Sequence, residues 1–176
     1  MTRRCASASR VPALTASWRE FVAARPDLAA KGRALFYEYG VGLGFIATTR
    51  PDGGPRVHPM CPILTEDELF AMIVPGPKLR DLRRDGRYAL HSETRPPPHQ
   101  DDAFYLTGIA TEVTDRATWK RVGDQMLAER NASAPWPRFE EQVLFELGID
   151  RCLLTLTQAE DGLPRGHTVW VAAAEG

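Results

Sequence analysis

The chain has 176 residues, of which 43% are hydrophobic, and its formal net charge at pH 7 is −1. This length and apolar content are sufficient for one domain with its own hydrophobic core. The near-neutral charge gives no indication of nucleic acid or an anionic membrane as a partner, so any anion-binding site has to be a local feature.

The N-terminal end is expected to be a flexible tail over residues 1–15, followed by a single domain over residues 16–176. The first nineteen residues are basic and contain no acidic side chain, but they lack the apolar centre of a signal peptide. No apolar run approaches the ~20 residues that span a bilayer. Three widely separated cysteines suit a reducing compartment better than a disulfide framework. We therefore expect a soluble, cytoplasmic protein without a membrane partner.

The spacing of apolar residues predicts a chain made mostly of strands, with helices inserted between them. In chain order, the pattern predicts two short helices between residues 16 and 39, strands over 43–50, 55–64 and 69–74, a helix from residue 77, strands over 87–93 and 103–115, helices over 116–130 and 139–147, and strands over 152–158 and 166–172. No regular strand-helix-strand alternation is present. The pattern therefore favours a small antiparallel barrel over a doubly wound parallel sheet.

Prolines and one glycine mark interruptions in these elements. Pro26 is expected to end one N-terminal helix and begin the next. Pro59 and Pro62 cannot donate to a β-ladder, so their strand should be an edge strand or locally unpaired. Gly108 lies in the middle of a long strand, where it predicts a bulge or sharp bend.

A short basic helix contains the first candidate for chemistry. Gly76 is suited to the cap and Pro77 to the first helical position, which places Lys78 in the first turn. The positive end of the helix dipole disfavours a cation there by about 0.3–1 kcal/mol. A bound phosphate would reverse this cost, because it accepts hydrogen bonds from the first-turn amides and pairs with the lysine. The alternative is that Lys78 points into solvent and pairs with Asp81.

The segment Arg56-Val57-His58-Pro59-Met60 offers a second candidate site. Its proline frees neighbouring backbone groups from the ladder, and free amides and carbonyls can contact the edge of a planar heterocycle. The alternative interpretation is a barrel edge that proline protects from aggregation.

Metal-binding and catalytic motifs are not recognisable in the sequence. The four histidines have no recurrent metal-ligand spacing and adjoin no cysteine cluster. The chain also lacks a Walker loop, a GxGxxG fingerprint after a strand and a GxSxG elbow. We therefore predict no metal site and assign no catalytic residue.

Three segments, in this order, resemble the FMN-binding split-barrel superfamily, the pyridoxamine 5'-phosphate oxidase-like proteins. They are FIATTRPDGGPRVHPM, ELFAMIVPGPKLRDLRRDGRYALHS and FYLTGIATEVTD. The resemblance implies a mainly β protein with peripheral helices, built on a six-stranded antiparallel split β-barrel. It also implies a homodimer with two cofactor sites at the subunit interface. The implied cofactor is FMN, with its phosphate beside Lys78, while some relatives use a deazaflavin coenzyme and others bind haem.

The resemblance also identifies candidate site residues. The cofactor-binding candidates are Arg56, Val57, His58, Pro59, Met60, Gly76, Lys78 and Leu79. The vitamin B6 oxidase itself has arginine at the positions of His58 and Pro77, so this chain departs from that enzyme. Arg165-Gly166-His167 resembles the enzyme's Arg-Leu-His substrate clamp, which makes His167 and the following Trp170 candidates for the wall of the flavin site. The alternative for Trp170 is that it fills the barrel or the dimer interface.

The implied function is that of a flavin-dependent oxidoreductase acting on an unidentified small molecule. Two alternatives remain open at this point. One is a deazaflavin-dependent reductase, whose longer and more anionic cofactor could recruit Arg80, Arg83 or Arg84. The other is a non-catalytic protein that binds flavin or haem.

Overall fold

The computed structural model of the chain describes residues 14–99 and 101–173. Most of the predicted N-terminal tail lies outside the described residues. Ala16 already belongs to the folded part, because it exchanges two backbone hydrogen bonds of 2.8 Å with Ile149.

The described part of the chain contains four α-helices and eight strands. They are α1 (Trp18–Ala24), α2 (Pro26–Phe36), β1 (Gly44–Thr49), β2 (Pro55–Met60), β3 (Pro62–Leu64), β4 (Leu69–Ile73), α3 (Pro77–Asp85), β5 (Arg87–Ser92), β6 (Ala103–Val113), α4 (Arg116–Glu129), β7 (Val143–Leu156) and β8 (Gly166–Val171). Local sequence accounts for the helix starts. Ser17 and Glu20 form a capping box at α1, Pro26 occupies the first position of α2, and Asp115 caps α4 through the Thr118 amide.

The strands form one antiparallel sheet that curls into a split barrel. Their hydrogen-bonded order is β2-β1-β5-β6-β7-β4-β3, with β8 added beside β7. The two ends of this order, β2 and β3, are consecutive in the chain and separated only by Cys61. If β2 and β3 are counted as one interrupted strand, the path β2-β1-β5-β6-β7-β4-β3 has six strands, and β8 is a seventh strand that pairs with β7. This architecture confirms the predicted fold class.

The prediction of a helix over residues 139–147 is wrong. Only Phe139–Glu141 forms a single 3-10 turn, and β7 begins at Val143, nine residues before the predicted strand. Phe145, Leu147 and Ile149 point into the main core, whereas Leu144 is buried on the other face in the cluster that contains Trp119. This stretch is extended because β6 on one side and β4 on the other satisfy its backbone groups.

Gly108 lies at a β-bulge between β6 and β7, as predicted, and the extra residue of the bulge is Asp150 of β7. The pairing register with β7 shifts between Thr107, which faces Arg151, and Gly108, which faces Ile149. A Cβ atom added to Gly108 would lie 1.8 Å from the carbonyl oxygen of Gly148. Only glycine allows the two backbones to approach so closely.

Two apolar clusters lie on opposite sides of the sheet. The main core lies inside the barrel, where α1 and α2 pack onto it; the ring of Phe36 meets that of Phe104 edge-on at 5.4 Å. A second cluster lies under α4 and joins Trp119, Val122 and Met126 to β3, β4 and the start of β7. Helices α1 and α2 do not cover the interruption between β2 and β3 or the start of α3.

Candidate functional site

The N-terminus of α3 presents backbone donors without a capping side chain. Gly76 is the cap residue, with an extended backbone (φ 169°), and it provides no side-chain acceptor. Pro77 has no N–H, and the amides of Lys78 and Leu79 precede the first possible i→i−4 hydrogen bond of the helix. Leu79 is buried in the main core and fixes this end of the helix. The helix start therefore has the geometry that suits an anion.

Lys78 is partly buried at this helix start. It forms no ion pair and no hydrogen bond with any residue that the structure describes. Burial lowers the pKa of Lys78 from its ordinary value, and the charge of nearby Cys61 acts in the opposite direction. The structure thus places Lys78 near the interruption between β2 and β3. It does not form the alternative pair with Asp81.

Asp81 is instead shared by other side chains. It is 2% exposed. Its Oδ2 accepts hydrogen bonds from Arg56 Nε at 2.6 Å and Thr48 Oγ1 at 3.2 Å, and its Oδ1 accepts from Arg84 Nη1 at 3.2 Å. Arg84 also donates to the carbonyl of Thr49. These contacts join β1, β2 and α3. The sequence did not indicate them, because the only partner that local spacing suggested for Asp81 was Lys78, three residues earlier on the same helix.

The electrostatics of Asp81 follow from these partners. Burial would raise the pKa of this carboxyl, but the hydrogen bonds from Arg56, Arg84 and Thr48 and the charge of Arg56 lower it overall. Asp81 is therefore ionised at neutral pH. The two guanidinium groups that bind it carry two positive charges against its single negative charge.

Strand β2 is an edge strand, as its prolines predicted. It pairs only with β1 among the described strands, and Cys61 separates it from β3. Val57 is 61% exposed, and His58 and Pro59 are also exposed. The outward edge of β2 therefore retains backbone groups that no described strand pairs.

The register places the residues of β2 on two different faces of the sheet, because directly opposed residues in an antiparallel pair share a face. The outer face carries two rows that cross six strands. The first row consists of Val57, Ala47, Ala89, Thr107, Arg151 and Val171. The second row consists of Pro59, Phe45, His91, Tyr105, Leu153 and Val169. Arg56, His58 and Met60 lie on the opposite face, on the side of α3 and the barrel interior.

His167 and Trp170 lie on opposite faces of β8. His167 faces Thr155, and its Nδ1 lies 2.9 Å from the Thr155 hydroxyl on the outer face. Trp170 faces Cys152 on the core side, and its ring packs against Phe21 with 4.9 Å between centroids. The structure therefore does not bring the two predicted wall residues together within one chain. The contacts of Trp170 agree with the alternative in which it fills the core.

A groove of about 620 Å³ lies at a different place, between the start of the described chain, α1 and β8. It is lined by Leu14, Thr15, Ala16, Glu20, Ala24, Trp170, Ala172 and Ala173. Of the predicted cofactor-site and wall residues, it includes only Trp170. The charged residues that were predicted to bind the cofactor, Arg56 and Lys78, lie on β2 and α3 instead.

In the part of the chain that the structure describes, no group of three or more histidine, cysteine, aspartate or glutamate side chains is placed to hold a metal ion. Within residues 14–99 and 101–173, none of the helices combines the length and apolar character that crossing a membrane requires.

Comparison with known proteins gives no match to a family model and no match to a curated protein. Solved structures do match. A NimC/NimA family protein from Clostridium acetobutylicum is 14% identical, with a TM-score of 0.58 over 85% of this chain and 98% of that chain. A protein assigned as a pyridoxamine 5'-phosphate oxidase from Listeria innocua is 14% identical, with a TM-score of 0.56 over 71% of this chain and 95% of that chain.

A heme binding protein from Mycobacterium smegmatis is 15% identical, with a TM-score of 0.57. That match covers 81% of this chain but only 57% of the other. The matching structures also include an F420 reductase. At these identities the likeness concerns the fold. The chain therefore has the split β-barrel fold of the pyridoxamine 5'-phosphate oxidase-like proteins.

Proposed function

We propose that this chain is a homodimeric FMN-binding flavoprotein and an oxidoreductase, with the FMN phosphate at the N-terminus of α3. The observation that supports this proposal is Lys78, a partly buried cation without a described partner beside free helix amides. A cation beside free helix amides is electrostatically unfavourable by itself, and a phosphate monoester turns both features into favourable contacts.

The available donors fit a single phosphate group. Lys78 and the first-turn amides provide a charge and two N–H groups, and the terminal Nη atoms of Arg56 have no described partner. Arg83 is already bound to Glu112 by two hydrogen bonds of 2.7 and 2.8 Å, and Arg84 is bound to Asp81. Of the arginines on α3, only Arg80 has no described partner. This donor set suits FMN better than a longer, polyanionic deazaflavin coenzyme.

The ring of the cofactor would lie against β2. Val57 and Pro59 present apolar surface on the outer face of this strand, and its unpaired edge has backbone donors and acceptors for a heterocycle. FMN, when bound, supplies hydride or electron transfer, and the protein supplies orientation and electrostatics. The residues named here bind and orient the cofactor, and none is required as a nucleophile.

The proposed partner is a second copy of this chain. None of the side chains in the two outer-face rows is fully buried, although most of them are apolar. Val57, Val169 and Val171 are 61%, 43% and 55% exposed. Apolar side chains aligned across six strands are typical of a surface that is covered in the functional protein. A twofold dimer through this face would cover the same rows in both copies.

The absorbance spectrum of the purified protein tests the cofactor. Bound FMN gives the yellow colour and two visible bands of an oxidised flavin, and denaturation should release FMN rather than FAD. A protein purified without colour should become saturated when FMN is titrated against its fluorescence. A Soret band, or release of a deazaflavin, would replace FMN with one of the alternatives. A protein that binds none of the three cofactors, FMN, a deazaflavin or haem, would overturn the proposal.

Activity is tested with the FMN-loaded protein. We expect reduction of the bound flavin by NADH or NADPH, followed by its reoxidation with a small electron acceptor. A flavin that binds but is neither reduced nor reoxidised would instead indicate a non-catalytic binding protein.

A further inference from the structure

The β-bulge places two consecutive charged residues of β7 on the outer face of the sheet. Ile149 and Cys152 are both fully buried in the main core. Successive side chains of a regular strand alternate between the two faces, so two core-facing residues are normally separated by an odd number of residues. The extra residue of the bulge, Asp150, resets this alternation. Asp150 and Arg151 therefore both point away from the core.

The contacts of these two side chains agree with this orientation. Thr107 belongs to the first outer-face row, and its hydroxyl donates to Oδ1 of Asp150. Arg151 belongs to the same row, directly opposite Thr107, and is exposed. Among the residues that the structure describes, the Arg151 guanidinium has no hydrogen-bond or ion-pair partner, and Oδ2 of Asp150 has none either. The two charges are thus neighbours in the chain, and each remains available to a group outside it.

The surroundings of Arg151 restrict what can cover it. The two outer-face rows contain no acidic side chain, and Arg151 is their only lysine or arginine. A guanidinium that is covered without an anion is strongly unfavourable. Asp150 adjoins the rows, whereas the carboxylate of Glu146, on the same face of β7, lies beside Thr111 and outside both rows. A partner on this face therefore has to bring a carboxylate to Arg151 and a cation to Asp150.

A second copy of the chain meets both requirements. In a twofold interface, contact of one residue with another is always accompanied by the reciprocal contact. A twofold axis that passes beside the bulge brings Arg151 of one copy to Asp150 of the partner subunit and repeats the contact on the other side of the axis. A positive and a negative side chain next to each other are thus complementary to the same pair on a second copy.

We infer that Arg151 of each copy pairs with Asp150 of the partner subunit, so that the bulge lies beside the twofold axis of the dimer. This inference rests on the proposed function, of which it uses only the homodimer. It assigns neither residue a contact with the cofactor.

Charge reversal tests each half of the pair. Asp150→Arg gives the bulge two positive charges, and Arg151→Asp gives it two negative charges. In either homodimer, like charges would face each other across the axis. Each substitution should therefore raise the dissociation constant of the dimer about a hundredfold or more, as measured by sedimentation velocity over a range of protein concentrations.

A mixture of the two reversed chains distinguishes a pair across the interface from a role within one chain. Asp150→Arg and Arg151→Asp chains carry opposite charges at the bulge, so they should form a mixed dimer although neither dimerises well alone. Native mass spectrometry identifies the mixed dimer by its mass. A substitution that only disturbed the bulge would not be rescued by a second disturbed chain.

Smaller substitutions provide a second test if a reversed chain does not fold. In Asp150→Asn the amide oxygen can still accept from Thr107, and Arg151→Gln keeps a polar side chain. Each should raise the dissociation constant of the dimer about fivefold or more. The double variant should be no weaker than the weaker single variant, because both substitutions remove the same contact.

Lys120→Asp is the matched control, because it reverses an exposed charge that pairs with Asp124 on α4 and lies on neither outer-face row. It should leave the dissociation constant within about twofold of the native value. Thermal unfolding curves establish which chains are folded.

Reversed chains that dimerise as the native protein does, folded chains that form no mixed dimer, or additive losses in the smaller substitutions would each overturn the pair. All three results leave the homodimer itself intact. A native protein that stays monomeric would instead overturn the homodimer of the proposed function, and FMN titration of that monomer tests the cofactor separately.

Discussion

Charges in the first half of α3 are compensated unevenly. Asp81 has two guanidinium partners and a hydroxyl, whereas Lys78, three residues earlier, has no described partner. The sum of these side chains is positive, in a chain whose overall formal charge is −1. The positive charge in a nearly neutral protein is thus concentrated at the proposed phosphate site.

Replacement of Lys78 with alanine should have opposite effects on ligand binding and on stability. FMN binding should weaken by about 1.5–3 kcal/mol, the usual contribution of a hydrogen bond to a charged group. The free energy of unfolding without FMN should rise by about 0.3–1 kcal/mol, because a cation is removed from the positive end of the helix. Fluorescence titration and urea unfolding measure the two effects.

Lys120→Ala is the matched control for this substitution. Lys120 is an exposed lysine of α4 that pairs with Asp124, so its loss should leave FMN binding unchanged and lower stability by about 0.5 kcal/mol or less. An unchanged FMN dissociation constant in Lys78→Ala would move the phosphate to another part of the protein.

Asp102 is a second buried carboxylate, and it provides a prediction about pH. Thr157 donates to its Oδ1 through both the backbone N–H and the hydroxyl, each at 2.7 Å, and Arg95 donates to its Oδ2 at 3.2 Å. Burial would raise the pKa of Asp102, but these hydrogen bonds and the charge of His99 lower it overall. The ionised carboxylate therefore fastens the start of β6 to the segment after β7.

The pKa of Asp102 in the folded protein lies below its unfolded value of about 3.9. Its contribution to stability is thus complete above that value and is lost as the pH falls through the folded pKa.

Asp102→Asn should lower the free energy of unfolding at pH 7 by about 3–5 kcal/mol and flatten its decline in acid. Urea unfolding between pH 7 and acid pH checks both effects. The exposed neighbour Asp101 supplies the control Asp101→Asn, and an equally steep decline in Asp102→Asn would contradict the assignment.

At the scale of secondary-structure elements, β6 and β7 approach each other closely at Gly108. Gly108→Ala should lower the free energy of unfolding by about 1–3 kcal/mol, because the new methyl group meets the backbone oxygen of Gly148 at the bulge. Gly54→Ala is the matched control. Its methyl group would meet only the end of the Arg50 side chain, which can move aside. Equal stability of the two variants would mean that the bulge can shift to accommodate a side chain.

Most element boundaries were predictable because proline, glycine and capping residues mark them locally. Pro26, Gly76-Pro77 and Asp115 are examples in which the local rule and the structure agree. The start of β7 was not predictable in this way. The segment from Phe139 to Leu147 contains glutamate, glutamine and leucine, which favour helices, and only distant partners make it a strand.

The candidate site shows the same division between local and distant information. Lys78 and the irregular β2 segment could be named from the sequence, because a helix start and prolines have local physical consequences. The bond of Arg56 to Asp81 could not be predicted, because it depends on strand register, and a shift of one residue exchanges the two faces of a sheet. The separation of His167 from Trp170, in contrast, follows from their odd spacing within one predicted strand, because successive side chains of a strand point to opposite faces.

At the scale of the whole molecule, the sheet divides its side chains between two environments. The inner face is filled by the core with α1 and α2, and the segment around β3 and β4 is covered by α4. The outer-face rows from β2 to β8 have no fully buried side chain. Val57 and Pro59 belong both to these rows and to the proposed cofactor site, so covering the face with a second copy would place each site beside the partner subunit.

Lysine substitutions on the outer face test this assembly. Val57→Lys and Val171→Lys each place a charge at one end of the same row, where a twofold interface would bury it without a partner, so each should convert the dimer to a monomer. Sedimentation velocity at several protein concentrations measures the change. Thr111→Lys is the control, because Thr111 is an exposed strand residue that belongs to neither row and faces Glu146.

A native protein that remains monomeric, or two valine variants that remain dimeric, would exclude this face as the interface. FMN binding that survives in a monomeric Val171→Lys would show that one copy of the chain forms the cofactor site by itself.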